Sequence, residues 1–376
     1  MKVLVLTRSM GEGHNRAARA IGEAFTNSGH DCQVKDALSI ANAVPSEHHR
    51  LTDIASGLYG WTALRAPFLF GAVYKMGEIY TRTPVPSPIY LASARLAEPT
   101  YQYIEENEYD AVVAPHLFPQ ETLMAMRKHH RVKARHIAVL TDYTCIPFFS
   151  EAKVDGYCIP HADLLKDCRS HGIPMNRTVV TGLPVMASFG RPPSKAAARE
   201  SLGLPADVPV FLVMSGGVGS MRSGELCGSL LTAGGEDMHV VVLTGRREDL
   251  YLQIAGRYQA DPRVTVVPFT NRVPEYMAAA DVMLSKPGGV SSTEAAVMGL
   301  PLVHTTTIPG NETKNAHFFE KHGMSLYAPR VDDAAKAAHH LINDHDRQAR
   351  MVEDQRANMM PDSAERVVAQ VEKLVG

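Results

Sequence analysis

The chain has 376 residues, of which 45% are hydrophobic and 21% charged, and its formal net charge is −2. This length suits two domains of ordinary size, and a net charge near zero gives no global sign of nucleic-acid binding. Five scattered cysteines without a C-x-x-C pair argue against a disulfide framework or a zinc site. The sequence has neither the apolar core of a signal peptide nor a run long enough to span a membrane, so we expect a cytoplasmic protein with at most peripheral membrane contact.

The amino-terminal segment predicts a strand, a glycine turn and a helix in succession. Residues 3–6 form a short apolar run, Gly11-Glu12-Gly13 forms the turn, and apolar residues then recur at helical spacing. His14 therefore lies at the carboxyl end of a strand and at the start of a helix. An imidazole in that position can act as a general base, or it can only cap the turn.

A second predicted strand near residues 32–34 ends at Asp36 and completes a βαβ pattern of the kind that binds dinucleotides. In the G-x-G-x-x-G fingerprint the third glycine permits close packing of the helix, and Arg16 stands in its place. The mismatch disfavours NAD binding.

Residues 56–95 are rich in aromatic residues with cationic neighbours and contain one acidic residue, Glu78. This composition suits a membrane interface or an acyl-chain groove, because aromatic rings lie at headgroup depth and cations pair with anionic lipid. A helical excursion packed on the domain is the alternative. The residues that we expect to contact an acceptor or the membrane are Gly11, Gly13, Trp61, Arg65, Phe68 and Phe70.

Two further buried strands are predicted at residues 111–114 and 137–140, and they are followed by His116 and Asp142. In open parallel sheets ligands bind outside the carboxyl ends of the strands, so both side chains are expected at the same crevice as His14. Asp142 can orient an imidazole, serve as a base itself, or only cap its loop.

The second half of the chain again alternates strands and helices. Strands are predicted at residues 210–214, 240–243 and 264–267, and residues 331–376 have the pattern of helices without a strand. Residues 179–194 contain a last strand of the first half and then a linker. We therefore expect a first domain over residues 1–188 and a second over residues 189–376.

The stretch 281–301 predicts a strand, a Pro287-Gly288-Gly289 turn and a helix that begins near Ser291. The first amides of a helix have no internal acceptor and carry the positive end of the helix dipole, so a phosphate can bind there. Glu294 lies about one turn into the helix, where its carboxylate can accept hydrogen bonds from two ribose hydroxyls. The pattern indicates a nucleotide site, although an ordinary strand-to-helix junction with a solvated Glu294 is the simpler alternative.

With these residues in view, the chain resembles the bacterial processive diacylglycerol glucosyltransferases and the plant monogalactosyldiacylglycerol synthases of glycosyltransferase family 28. The resemblance runs nearly end to end through short motifs in the right order. They are Gly11-Glu-Gly-His-Asn-Arg-Ala-Ala18, Leu140-Thr-Asp-Tyr143, Val180-Thr-Gly-Leu-Pro184, Met214-Ser-Gly-Gly217, Lys286-Pro-Gly-Gly289 with Thr293-Glu294-Ala295, and Pro309-Gly-Asn-Glu312 with Asn315-Ala-His-Phe-Phe319.

The resemblance implies an α/β fold of the GT-B type, with two Rossmann-like domains whose parallel sheets face each other across a cleft. The first domain would bind a lipid acceptor at the membrane and the second a UDP-sugar, with no metal and no other cofactor. His14 and Asp142 would be the catalytic candidates. The residues that would contact the UDP-sugar are Gly216, Gly217, Gly219, Val273, Gly288, Gly289, Val290, Ser291, Glu294, Asn311, Glu312 and Asn315.

One departure from the family concerns the segment after Leu140-Thr-Asp-Tyr143. The bacterial lipid enzymes usually have a His and then a Trp there, and this chain has Cys145-Ile-Pro-Phe-Phe149. The departure leaves open how the acceptor is bound and how many sugars are added.

The function that the sequence favours is inverting transfer of glucose or galactose from a UDP-sugar to diacylglycerol at the inner face of the cell membrane. Two alternatives remain at this point. One is transfer of N-acetylglucosamine to a polyprenyl-linked acceptor, and the other is a nucleotide-sugar sensor with little turnover.

Overall fold

The computed structural model describes residues 1–8, 12–42, 87–214, 222–305 and 310–376. In the part of the chain before residue 187, the strands are β1 (Lys2–Thr7), β2 (Asp31–Asp36), β3 (Ala111–Ala114), β4 (Arg135–Val139), β5 (Gly156–Ile159) and β6 (Thr178–Val180). The helices there are α1 (Glu12–Asn27), α2 (Ala37–Asn42), α3 (Pro88–Ser93), α4 (Ala97–Glu106), α5 (Leu117–His129) and α6 (Leu164–Ser170). Short 3-10 turns occupy Ala94–Leu96 and Met175–Arg177.

From residue 187 onward, the strands are β7 (Val210–Met214), β8 (His239–Leu243), β9 (Val264–Val267), β10 (Val282–Ser285), β11 (Leu302–His304) and β12 (Leu326–Tyr327). The first helices are α7 (Ala187–Gly190), α8 (Lys195–Leu202), α9 (Ser223–Gly234), α10 (Glu248–Tyr258) and α11 (Val273–Ala279). They are followed by α12 (Gly289–Val297), α13 (Asn311–Lys321), α14 (Val331–Asn343), α15 (His345–Asn358) and α16 (Ser363–Val375).

The strands form two parallel six-stranded sheets, one in the order β2-β1-β3-β4-β5-β6 and the other in the order β12-β11-β10-β7-β8-β9. Each sheet belongs to one of two compact units. Central strands such as β3 and β7 are apolar and buried over their whole length because helices cover both faces of a parallel sheet, whereas the edge strand β2 is largely polar. Parallel sheets with crossover helices are the Rossmann-like α/β architecture that the sequence predicted.

The first unit contains Met1–Met186 and also the last helix, α16. The sequence analysis placed residues 362–376 in the second domain, and the structure packs them on the first sheet instead. Helix α16 buries one stripe at helical spacing against α1 and strands β1 and β4. That stripe consists of Ala364, Val367, Val368 and Val371.

The second unit contains Ala187–Thr307 and Glu312–Pro361. Its core joins the central strands β7, β8 and β10 to α9 and α14, with Leu226, Leu230 and Leu341 among the fully covered side chains. A largely buried ion pair of Arg199 and Asp281 lies at one end of this unit. The Arg199 guanidinium lies 2.6 Å from the Asp281 carboxylate, which also accepts the Val210 amide at 2.7 Å.

The strands predicted at residues 111–114, 210–214 and 264–267 have those bounds in the structure. Strands β5 and β12 were not predicted, because β5 begins with Gly156 and β12 has two residues, too few for any periodicity. Helix α12 begins at Gly289, two residues before the predicted start near Ser291.

Candidate functional site

The two candidate sites lie at the carboxyl edges of the two sheets. In a parallel sheet all strands end at the same edge, so the residues that follow them are neighbours in space. In the first unit that edge carries Arg8, Asp36, His116 and Asp142, each of which ends a strand or lies within three residues after one. In the second unit it carries the turn between β10 and α12.

His14 occupies the first turn of α1 and is held by the loops after β3 and β4. Its Nδ1 nitrogen lies 3.1 Å from the carbonyl oxygen of Pro115 and 3.1 Å from the hydroxyl oxygen of Thr141. A carbonyl oxygen can only accept, so Nδ1 carries the proton and donates it to Pro115. The Nε2 nitrogen of the neutral ring therefore has a lone pair that can accept a proton from a substrate.

Burial lowers the pKa of His14 below its ordinary value of 6.5, and the hydrogen bond to Pro115 opposes that shift only in part. A lowered pKa keeps the imidazole neutral at physiological pH, which is the protonation state that a general base needs. Geometry and electrostatics thus agree on the same form of His14.

His116 packs edge-on against His14, with ring centroids 4.3 Å apart and an interplanar angle of 70°. It caps the amino terminus of α5, where its Nδ1 accepts the Phe118 amide at 3.1 Å. Burial lowers the pKa of His116 well below its ordinary value, and the nearby His14 and Arg8 lower it further. Two neutral histidines therefore lie side by side at the edge of the first sheet.

Asp142 follows β4 and is partly buried. Its Oδ2 oxygen accepts a hydrogen bond of 3.0 Å from the Nδ2 amide of Asn311, the first residue of α13, which clusters with the first unit. The structure thus brings a predicted catalytic carboxylate together with a predicted sugar-binding amide. The hydrogen bonds of His14 go to Pro115 and Thr141, so these residues, and not Asp142, orient its ring.

In the second unit, β10 passes through Lys286-Pro287 into α12. The Gly288 amide donates to the Lys286 carbonyl at 2.8 Å, and the first hydrogen bond of the helix joins the Ser292 amide to the Gly288 carbonyl at 3.0 Å. The amides of Gly289, Val290 and Ser291 therefore have no acceptor within the helix. Three such donors at the positive end of a helix dipole form a site suited to a phosphate group.

Two other predicted nucleotide contacts have defined places in this unit. Glu294 is the sixth residue of α12 and its side chain is buried, with a relative exposure of 1%. Val273 is the first residue of α11, the helix that follows β9. Both residues are on helices that follow strands of the second sheet, and the Gly288 turn follows the carboxyl end of β10 in the same sheet.

The predicted sugar contacts Glu312 and Asn315 hold the loop before α12. Asn315 is fully buried, and its Nδ2 amide donates to the Pro287 carbonyl at 3.1 Å. Glu312 forms an ion pair with Lys286. Both contacts come from α13 and fix the turn from which the Gly289 amide projects.

Several predicted residues lie outside the described residues, and their assignments stay predictions. They are Gly11, Trp61, Arg65, Phe68, Phe70, Gly216, Gly217 and Gly219. Gly13 is described and is the second residue of α1, directly before His14.

The segment in which the chain departs from the family closely follows Asp142. The Cys145 amide donates to the Asp167 carboxylate at 3.0 Å, and the buried Phe149 ring packs against Tyr157 with centroids 5.9 Å apart. Phe148 is partly exposed and has a φ of 70°, a left-handed conformation that is strained for a bulky residue. The replacement is thus a structured turn anchored in the first unit.

Comparison with known proteins gives two consecutive family matches. Residues 14–185 match the model described as monogalactosyldiacylglycerol (MGDG) synthase, and residues 222–374 match the glycosyltransferase family 28 C-terminal domain. A processive diacylglycerol beta-glucosyltransferase of Bacillus pumilus (strain SAFR-032) is 23% identical over 373 residues, which cover 98% of this chain and 94% of that protein. Its counterpart in Bacillus cereus (strain AH187) is 24% identical over 369 residues, with coverage of 98% and 92%.

The chain belongs to the monogalactosyldiacylglycerol synthase and diacylglycerol glucosyltransferase family. It is accordingly a glycosyltransferase.

Two solved structures have the same fold as this glycosyltransferase. Acinetobacter baumannii MurG superimposes with a TM-score of 0.63 at 16% identity, covering 99% of each chain. The S. aureus MnaA-UDP co-structure gives a TM-score of 0.65 at 12% identity, covering 98% of this chain and 95% of the other. Over the described residues, none of the glycosyltransferase's helices has the length and apolar character needed to cross a membrane.

The structure adds residues that the sequence analysis did not single out. Pro115 and Thr141 hold His14, and neither has a signal of its own because a backbone carbonyl and a single hydroxyl are common features. In the second unit His304 bonds the hydroxyls of Ser292 and Ser325. His304 ends β11 and His116 lies two residues after β3, so a place near the carboxyl end of a strand was the available signal for His304.

Proposed function

We propose that this glycosyltransferase transfers glucose or galactose from a UDP-sugar to diacylglycerol, with inversion at the anomeric carbon. The observation that carries the proposal is the fixed tautomer of His14, which leaves Nε2 as a proton acceptor at the edge of the first sheet. The two Bacillus relatives supply the acceptor class, since both are processive diacylglycerol beta-glucosyltransferases and the match covers 94% and 92% of their lengths.

The donor would bind at the edge of the second sheet. The diphosphate would accept hydrogen bonds from the amides of Gly289, Val290 and Ser291, with Gly288 permitting close approach. Glu294 would bind the ribose hydroxyls, and the backbone at Val273 would contact the uracil.

The transferred sugar would be recognised by residues of α13. Glu312 and Asn315 already lie beside the turn that leads into the phosphate site, through the Lys286 ion pair and the Pro287 carbonyl. Asn311 would act in the same way while its amide contacts Asp142. The predicted donor contacts Gly216, Gly217 and Gly219 follow β7, the neighbour of β10 in the sheet.

His14 would act on the acceptor. A hydroxyl of diacylglycerol loses its proton to Nε2 as its oxygen forms a bond to the anomeric carbon, and the bond from that carbon to the β-phosphate oxygen of UDP breaks. The leaving diphosphate carries the displaced electron pair, and the helix amides stabilise its charge. Asp142 is the other candidate base, and its contact with Asn311 favours a role in positioning the sugar.

Peripheral binding to the inner face of an anionic membrane completes the proposal. It is supported by the aromatic and cationic composition of residues 56–95 and by the need to reach a lipid acceptor.

The test incubates the purified protein with vesicles that contain diacylglycerol and an anionic lipid, and separately with UDP-glucose, UDP-galactose or UDP-N-acetylglucosamine. Lipid products are identified by mass spectrometry. We expect a hexosyl-diacylglycerol from UDP-glucose or UDP-galactose, and the number of sugars is read from the product masses. Transfer from UDP-N-acetylglucosamine alone, or measurable UDP binding without any product, would overturn the proposal in favour of another acceptor or a sensor.

A further inference from the structure

A fully buried histidine connects the phosphate-site helix to the rest of the second unit. The Nε2 nitrogen of His304 lies 2.9 Å from the Ser292 hydroxyl, and its Nδ1 nitrogen lies 3.0 Å from the Ser325 hydroxyl. His304 and Ser292 have no exposed surface, and Ser325 is 3% exposed. Both ring nitrogens thus have a partner, and the three side chains form one continuous chain of hydrogen bonds.

The two serines of this hydrogen-bonded series lie on different elements. Ser292 is the residue directly after the three amides that have no acceptor within α12, and its own amide makes the first hydrogen bond of that helix. Ser325 lies after α13, and Phe319 of α13 packs edge-on against the His304 ring with centroids 5.3 Å apart. The ring is therefore clamped between β11, α12 and the segment that contains α13.

The backbone around His304 strengthens the same connection. His304 pairs with Ser285 at the end of β10, and the Thr305 amide donates to the Ser285 carbonyl at 2.8 Å. The strand that leads into the phosphate site is thus paired with the strand that carries the histidine, and the residue after His304 is hydrogen-bonded to it.

We propose that His304 is a positioning residue that holds the first turn of α12 at the donor diphosphate, an inference that rests on the proposed function. Helix amides bind a phosphate well only when their direction and distance are fixed in advance, because any reorganisation on binding weakens the interaction. The Ser292 hydroxyl directly follows those amides in sequence, and its partner His304 lies outside the helix. His304 is fixed in turn by its hydrogen bond to Ser325.

The neutral state of His304 fits this role. In a neutral imidazole between two hydroxyls one ring nitrogen accepts and the other donates, so both hydrogen bonds form without a buried charge. Burial lowers the pKa of His304 to about 3, so the ring stays neutral over the physiological range.

A matched control exists at the other edge of the same sheet. His239 begins β8, and its Nε2 lies 2.9 Å from the hydroxyl of Thr265 in β9. This histidine–hydroxyl bond resembles the His304 bonds in chemistry and length, and it lies at the amino-terminal ends of the strands, away from the phosphate site. Thr265→Val removes the hydroxyl with little change of shape.

The experiment measures UDP affinity by titration calorimetry for Ser292→Ala, Ser325→Ala, the double variant and Thr265→Val. We expect affinity to fall about tenfold in Ser292→Ala, the usual effect of one lost hydrogen bond, and by about threefold in Ser325→Ala, which touches no donor group. The double variant should bind UDP no more weakly than Ser292→Ala, since either change interrupts the hydrogen bonds from Ser292 through His304 to Ser325. Thr265→Val should bind UDP as wild type does. His304→Gln, which keeps an amide for Ser292, should retain more affinity than His304→Phe.

Amide hydrogen exchange of the ligand-free proteins gives a second measurement that does not need the donor. We expect the amides of Ser292 and Thr293 to exchange faster in Ser325→Ala and to be unchanged in Thr265→Val. UDP affinity within twofold of wild type in both serine variants would overturn the inference, whether or not exchange changes. Failure of the wild-type protein itself to bind UDP would overturn the proposed function instead, so the two failures are distinguishable.

Discussion

The Nδ1 nitrogen of His14 lies 3.1 Å from the carbonyl oxygen of Pro115, a residue 101 positions further along the chain. This single contact determines which nitrogen of the ring carries the proton. It joins the first turn of α1 to the end of β3, so the tautomer of a helix residue is set by a loop of the sheet.

The pH dependence of transfer should reflect His14. Burial lowers its pKa below the ordinary value of 6.5, so the neutral, basic form persists at pH values where an exposed histidine is already charged. We expect the acidic limb of the rate at saturating donor to have its midpoint below pH 6.5. A rate–pH profile of wild type beside that of His14→Ala checks this, because the variant should lack the acidic limb.

Glu294→Ala should weaken UDP binding. In the proposed function the buried carboxylate binds the ribose, and loss of a buried polar contact costs roughly 1–3 kcal/mol. Titration calorimetry with UDP measures the effect. Glu320→Ala, which removes an exposed carboxylate from α13, is the control and should leave affinity unchanged. An unchanged affinity for Glu294→Ala would remove Glu294 from the donor site.

The buried pair of Arg199 and Asp281 should dominate local stability in the second unit. Arg199 is 6% exposed, and its guanidinium also donates to the backbone carbonyls of Ala206, Val208 and Ala279. Asp281→Ala leaves this charge without its carboxylate, which we expect to cost about 3 kcal/mol of unfolding free energy.

Chemical denaturation provides the measurement for that pair. Asp261→Ala is the matched control, because it breaks an aspartate–arginine pair with Arg263 that is partly exposed to solvent. Such pairs contribute little, so the control should unfold near wild type. Equal losses in the two variants would show that burial of the Arg199 pair has no special effect.

His136 should make the folded protein sensitive to acid. It is fully buried, neither ring nitrogen has a hydrogen-bond partner, and burial together with Arg127 lowers its pKa to about 3. The unfolded chain binds a proton near pH 6.5 and the folded chain does not, so stability present above that pH is lost as pH falls toward 3. The loss can reach about 1.4 kcal/mol per pH unit across that window.

The measurement for His136 compares unfolding free energies of wild type and His136→Phe at several pH values. The variant has no titrating ring at this position, so the difference between the two proteins should grow in favour of the variant as pH falls. A difference that does not depend on pH would mean that His136 is protonated or hydrogen-bonded in the folded state.

The sequence predicted most of the framework because buried strands are apolar runs and the junctions carry glycine or proline. The β10–α12 turn is the clearest case, since Pro287 and Gly288 mark the end of the strand and the start of the helix. Strand β5 was not predicted because it begins with Gly156 and the residues around it form no periodic pattern. The packing of α16 on the first sheet also could not be predicted, because an amphipathic helix shows which face is buried but not against what.

In the candidate site, too, the sequence predicted positions along the chain but not the contacts between distant residues. His14, Asp142 and Glu294 were predicted as candidate site residues from their places after strands or in the first turns of helices. The contacts that set their chemistry come from distant residues, such as Pro115 for His14 and Asn311 for Asp142. Sequence spacing carries no information on such contacts, which exist only once the sheet has assembled.

The most direct test of the account is the turnover of His14→Ala with diacylglycerol vesicles and the preferred UDP-sugar, measured together with its UDP affinity. The base is assigned to the first unit and the donor to the second, so the change should affect the reaction and not donor binding. We predict that turnover falls by about 10² to 10⁴ while the UDP dissociation constant stays close to that of wild type. Turnover near wild type would contradict the account and would assign the proton acceptor to another residue, with Asp142 the first to examine.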